Sequence, residues 1–251
     1  MNKIMALLCG LLTAAIAPFG VAQESVSATD TAFRSLFNGN DLSEWKGDER
    51  FWSVRDGVIV GQTGKDNPAP HNTFLIYEGG EFGDFELRFE YKVDGFNSGV
   101  QYRSVEGDDF KVKGYQADFE ARWHDAETSG GGIDKFTGMF FDEGGRMFMG
   151  QRGDVVIVKS VPEGKKKPLV EKIGSVGDPE QLEKAIRRDD WNEYTVIAKG
   201  FTFTHIVNGR VMAVGFDEDV ENRRESGILA FQLHSGTPMK IQVKDVMIRE
   251  L

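Results

Sequence analysis

The chain has 251 residues, including 30 glycines, 7 prolines and a single cysteine, and carries a formal net charge of −10. That acidic balance argues against nucleic acid as a partner, because phosphate binding needs clustered cations. One cysteine excludes a disulfide framework.

The N-terminus reads as an export signal. Lys3 supplies the positive start, and Ile4 to Ala17 form an apolar run too short to span a bilayer. Small residues at Gly20 and Ala22 place cleavage after Ala22, so residues 1–22 are expected to be a signal peptide and the mature protein periplasmic or extracellular. Cys9 lies within the apolar run, behind Leu8 where a lipoprotein signal needs a small residue, so the mature chain is expected to lack cysteine. Residues 23–32 are small and polar and read as a tether. From residue 33 to 251 no second apolar span, repeat or composition break appears, which predicts one domain and no membrane span.

Alternation at period two dominates the rest. Strands are predicted at Trp52–Arg55, Val58–Gln62, Phe74–Tyr77, Gly99–Arg103, Tyr115–Ala121, Gly138–Asp142 and Val155–Lys159. Others follow at Tyr194–Lys199, Thr202–Val207, Arg210–Val214, Ile228–Leu233 and Lys240–Glu250. The clearest has Phe85, Leu87, Phe89, Tyr91 and Val93 on one face and Glu86, Arg88, Glu90 and Lys92 on the other. Asp56-Gly57 and Asn208-Gly209 carry hairpin-turn chemistry. Asp178 can cap one helix, with Pro179 at its first position, Leu182, Ala185 and Ile186 as its apolar stripe, and Arg187 and Arg188 near its end. Pro162 to Pro168 reads as a solvated loop. Many strands without βαβ alternation predict an all-β sandwich of two antiparallel sheets with one short helix.

Candidate chemistry concentrates in Gly114-Tyr115-Gln116-Ala117-Asp118-Phe119-Glu120-Ala121. On a strand, Gln116, Asp118 and Glu120 share one face at a spacing of about 6.5–7 Å, while Tyr115 and Phe119 turn to the core. Such a row can hydrogen-bond sugar hydroxyls, and carboxylates this close raise one another's pKa. The bland alternative is an ordinary wet strand face. Endo-β-glucanases of the laminarinase type carry a Glu-x-Asp-x-Glu strand, to which this spacing is similar; here Gln116 replaces the first Glu, and an amide cannot form a glycosyl ester. Gln232 and His234 form a second polar pair at a strand end. His205, alternating with Phe203 and Val207, reads as a packed structural residue, and His71 and His124 as loop residues. Arg103, Arg146 and Arg152 are candidates to stabilise a developing oxyanion. No HExxH pair or acidic calcium loop is present, so no metal site or cofactor is readable, and a divalent metal stays open.

Leu36-Phe37-Asn38-Gly39-Asn40-Asp41-Leu42-Ser43-Glu44-Trp45 resembles the opening motif of the 3-keto-disaccharide hydrolase domain family. The resemblance continues through Phe51 to Gly61, Phe82 to Leu87, Asn97-Ser98-Gly99-Val100, Gly114 to Asp118, Trp191 to Tyr194, Gln232 to Gly236 and Val246 to Leu251. It departs at Phe136 and at Phe140-Phe141, where relatives are more polar. It implies a concanavalin-like jelly roll and a role in carbohydrate breakdown. It also implies action on glycosides oxidised at C3: a base removes the acidified C2 proton, the C1 substituent leaves, and water adds to the enone. Asp118, Glu120 and His234 are then the expected catalytic residues, and Asn97, Arg103, Gln116, Arg146, Arg152 and Gln232 the expected substrate-binding ones. The alternatives are a carbohydrate-binding sandwich without turnover and, less favoured because of Gln116, a conventional glycosidase. The sequence assigns no oligomeric state.

Overall fold

The structure, a computed structural model, describes residues 32–120, 135–165 and 167–251. The expected export signal and the expected tether up to residue 31, together with Ala121 and His124, lie outside the described residues.

In chain order the elements are β1 (Arg34–Ser35), β2 (Trp45–Lys46), β3 (Trp52–Arg55), β4 (Val58–Gln62), β5 (Thr73–Tyr77), β6 (Phe85–Asp94), β7 (Asn97–Glu106), β8 (Val112–Glu120) and β9 (Phe140–Glu143). They continue with β10 (Met147–Gly150), β11 (Asp154–Lys159), β12 (Leu169–Ser175), α1 (Pro179–Glu183), β13 (Asn192–Lys199), β14 (Thr202–Val207), β15 (Arg210–Asp217), β16 (Ile228–Leu233) and β17 (Lys240–Glu250). The larger sheet runs β12-β11-β15-β14-β13-β6-β17-β4-β3, with β1 also on β17; the smaller runs β10-β9-β8-β7-β16-β5-β2. The chain thus forms the concanavalin-like sandwich that the resemblance implies.

One pairing departs from the antiparallel expectation: β11 lies parallel to β15. The two are not joined by a hairpin. The β11–β12 hairpin arrives as a unit from the smaller sheet and adds to the free edge of β15. The strand at residues 169–175 was not legible because its inner positions carry little apolar weight; Leu169 and Ile173 are exposed on it. The predicted turns form as read, with Asp56, Gly57, Asn208 and Gly209 all at positive φ. The Asp178 side chain accepts from the backbone N–H groups of Glu180 and Gln181, but the helix ends at Glu183, so Arg187 and Arg188 lie beyond it.

Inward faces fuse into one aromatic core. Phe85, Leu87, Phe89 and Tyr91 are buried, and the Phe89 ring stacks on Tyr194 at 5.5 Å and meets Phe231 of the other sheet at 5.2 Å. Each such ring contributes on the order of 2–3 kcal/mol by leaving water. His205 sits in this core: its Nδ1 donates to the Met139 carbonyl at 3.0 Å, and its Nε2 accepts from the Tyr102 hydroxyl at 3.0 Å. Burial lowers its pKa to about 4, which keeps the ring neutral. One supposedly wet position is also closed: Glu86 is covered by Arg88 and Arg249, whose guanidinium groups donate to its carboxylate.

Candidate active site

The site lies on the face of the smaller sheet that points away from the core. Strand β8 alternates as read, with Tyr115, Ala117 and Phe119 in the core and Gln116, Asp118 and Glu120 on the outer face. The register sets Gln101 beside Gln116, Gly99 beside Asp118 and Asn97 beside Glu120. Gly99 carries no side chain, and Gln116 fills the space above it. The Gln101 and Gln116 amides are hydrogen-bonded; Gln116 Nε2 donates to Asp118 Oδ1 and lies 3.4 Å from Gln232 Oε1 on β16. Ser98 Oγ donates to the Gln232 carbonyl at 2.6 Å and fixes that strand. Gln101, Gln116, Asp118, Glu120 and Gln232 are all buried, so this is a sequestered polar cluster and not a wet strand face.

A fold-over of the β7–β8 hairpin brings further groups to it. A bulge between Tyr102 and Val105, together with Gly114 at φ 143°, bends the hairpin across the outer face. Its tip reaches the far edge of the sheet: the Phe110 carbonyl accepts from Phe74 N, Asp109 pairs with His71, and Glu106 pairs with Lys46 on β2. Val112 packs on Phe74, Ile76 and Ala230. Glu143 travels with the bend, since it pairs with Gly114, and Asn72 Nδ2 donates to its Oε1 at 3.2 Å. A cleft of about 530 Å³ lies against these residues, lined by Asn72, Glu143 and the hairpin tip.

His234 completes the arrangement. Its Nδ1 lies 2.7 Å from the Ser235 carbonyl, which fixes the proton on Nδ1 and leaves Nε2 as the basic nitrogen. The ring packs against Phe96 at 4.5 Å and is half-buried. Asn72 Oδ1 accepts from both Ser235 N and Ser235 Oγ, tying the His234 loop to the Glu143 side. Burial pushes the Glu143 carboxyl above the ordinary carboxylate range, although Asn72, Gln232 and the nearby His234 pull it down. Glu143 lines the cleft and His234 lies near enough to act on its carboxyl electrostatically; an imidazole near a carboxyl that burial raises suits proton removal at one atom and proton delivery at the next.

The structure gathers Gln116, Asp118, Gln232, His234, Asn97 and Glu120 on this one face. It does not bring the three arginines there. Arg103 was expected to follow Gln101 outward, but the bulge sets its φ at 43° and turns the side chain between the sheets. There it donates to the carbonyls of Gly83, Gly200 and Arg224 and to Asp84, above the Phe203 ring. Arg146 is buried over Tyr115 and clasped by Asp142, Asp217 and Asp219. Arg152 donates to the carbonyls of Pro179 and Thr137 and so anchors the start of α1. All three are fold-holding cations rather than substrate ligands. The Glu120 carboxylate accepts from the backbone N–H groups of Lys135 and Phe136, which binds it to the segment before β9. Glu143 and Asn72 escaped the sequence reading. Glu143 was legible as the continuation of the alternation through Phe141, whereas nothing local marks Asn72. Among the described residues no group of His, Cys, Asp and Glu is arranged to hold a metal ion.

The model of the 3-keto-alpha-glucoside-1,2-lyase-like domain matches residues 32–249. A candidate glycosyl hydrolase from Parabacteroides distasonis ATCC 8503 superposes with a TM-score of 0.55 at 21% identity, over 87% of this chain and 94% of its own. A second from the same organism gives 0.54 at 18%, over 88% and 100%. A carbohydrate-binding module from Bacillus subtilis aligns at 0.48 and 16%, over 82% and 96%. At these identities the first two establish a shared fold. No curated protein matches in sequence.

Proposed function

The chain belongs to the 3-keto-alpha-glucoside-1,2-lyase-like family, a carbohydrate-active group, and from that premise we propose that it cleaves 3-keto-glycosides by elimination across C1 and C2. The ketone at C3 acidifies the C2 proton. His234 Nε2 removes that proton, the electron pair forms the C1–C2 double bond, and the C1–O bond breaks. Glu143, whose carboxyl burial pushes above the ordinary carboxylate range, gives its proton to the departing oxygen. Water can then add across the double bond, giving net hydrolysis. Asp118 and the amides of Gln116 and Gln232 orient the sugar hydroxyls and the enolate oxygen. Glu120 acts as a positioning residue for the 135–137 segment.

The observation that carries this reading is the pairing of His234, with its proton fixed on Nδ1, and the burial-raised carboxyl of Glu143 beside the same cluster. A retaining glycosidase needs a carboxylate nucleophile, and the position where one would stand is Gln116. We propose further that the protein is exported, with residues 1–22 as its signal. The test is incubation with a 3-keto-glycoside deuterated at C2, alongside the unoxidised parent. Loss of deuterium to solvent with no action on the parent is expected. Retained deuterium together with cleavage of the parent would rule elimination out, and sugar binding without turnover would make the protein a binding module.

A further inference from the structure

We propose that the cleft of about 530 Å³ beside Glu143 is the leaving-group subsite and takes an aromatic aglycone that carries a carboxylate. This rests on the reading above, because elimination expels the C1 substituent and the proton donor marks where its oxygen departs. The volume lies within the roughly 300–1,000 Å³ of small-molecule sites.

The lining sets the chemistry. Phe74 and Val112 belong to a small apolar cluster of their own on the outer face, and Val105 adds a side of the cleft that is 46% exposed, unusual for a strand valine. A second sugar ring in this space would present several hydroxyls that need partners, and most of the polar groups around it are already engaged. His71 is paired with Asp109 at 2.7 Å, Glu106 with Lys46 at 2.6 Å, and Asn72 with both Glu143 and Ser235. Lys113 and Arg224 also line the cleft, and among the described residues neither forms an ion pair. Apolar walls with unneutralised cations at the rim favour a flat apolar group bearing negative charge, and disfavour a neutral polyol.

Titration calorimetry on the intact protein with 4-hydroxybenzoate, benzyl alcohol and glucose tests the assignment. The expected result is 4-hydroxybenzoate bound at least tenfold tighter than the other two. Val105→Asp and Lys113→Glu, both at exposed positions, should each weaken that binding about tenfold while circular dichroism stays unchanged. Glucose binding as tightly as 4-hydroxybenzoate, or affinities indifferent to both substitutions, would overturn the inference. Turnover of methyl 3-keto-glucoside by the unmodified protein reports separately on the reaction. Turnover without 4-hydroxybenzoate binding leaves the elimination standing and refutes the aglycone class. Binding with no turnover of any 3-keto-glycoside removes the leaving-group role.

Discussion

Gly99 and Gln116 share one volume: a Cβ on Gly99 would lie 2.5 Å from Gln116 Cγ and 2.7 Å from its amide nitrogen. Both neighbours are backbone-anchored on adjacent strands, so neither can yield far. Gly99→Ala should lift Gln116 off Asp118 and Gln232 and destabilise the protein by about 1–3 kcal/mol, the usual cost of overpacking. Thermal melts and kcat/KM on a 3-keto-glycoside should fall together. An unchanged melt would mean that the strands can part to admit a methyl group.

His234→Ala and Asp118→Asn remove a base and a hydrogen-bonding carboxylate from the same face. His234→Ala should lower kcat by roughly 10²–10⁴, the range for losing a positioned acid or base, and Asp118→Asn should lower it less. Asp118→Asn is expected to act more on KM than His234→Ala does, since Asp118 is assigned to orientation. Equal kcat losses at constant KM would instead make Asp118 a direct participant.

Glu143 offers a test in pH. Its folded pKa is raised above the ordinary 4.5, so the protonated acid is available from low pH up to that raised value and is lost as pH climbs through it. Activity should therefore show an alkaline limb that Glu143→Gln abolishes along with most of the rate. The sign for stability is the same. Burying this carboxyl weakens the fold once pH exceeds the unfolded pKa, so Glu143→Gln should be the more stable protein at neutral pH in urea titrations.

His205 works in the opposite sense. Its folded pKa of about 4 lies below the ordinary 6.5, so the unfolded chain takes up the proton first as pH falls. Its contribution is complete above pH 6.5 and is lost between there and pH 4, to a total of about 3 kcal/mol. Urea midpoints measured from pH 7 to 4 should drop less steeply for His205→Gln than for the native sequence. Parallel slopes would show that His205 does not govern the acid limb.

Among the described residues, Arg146 is the cation that pairs with three buried carboxylates, Asp142, Asp217 and Asp219. Arg146→Met should cost about 3–5 kcal/mol, because it leaves buried charges unpaired. Where the variant is still folded, substrate KM should be unchanged, since the guanidinium lies on the core side of the sheet. A raised KM with native stability would return Arg146 to the substrate.

Elements whose faces differ in polarity were legible in the sequence. Phe85 through Val93 and Tyr115 through Glu120 declared both their strands and their faces, because the core side is aromatic and the other side charged. What failed was whatever depends on a break in alternation. Counting by twos sends Arg103 outward with Gln101, and only the bulge at Tyr102–Val105 sends it inward. That same bulge carries Glu143 to Asn72, two residues 71 apart in sequence. Half of the candidate site was therefore visible as a row on one strand. The other half exists only once the hairpin has folded across it.

Strand β17 lies between β6 and β4 in the larger sheet, pairing with Phe85–Asp94 on one side and with Ile59–Gln62 on the other. A nascent chain that has reached β16 therefore still carries two unpaired strand edges, one of them rich in aromatic residues. Those edges close only when Lys240–Glu250 arrives and inserts between them. Contacts of such long range form slowly, and open edges are the surfaces through which chains aggregate. The ribosome must thus release Lys240–Glu250 before the larger sheet can be complete. A chaperone that masks β6 would be expected to raise the yield more than one that acts on the finished sandwich.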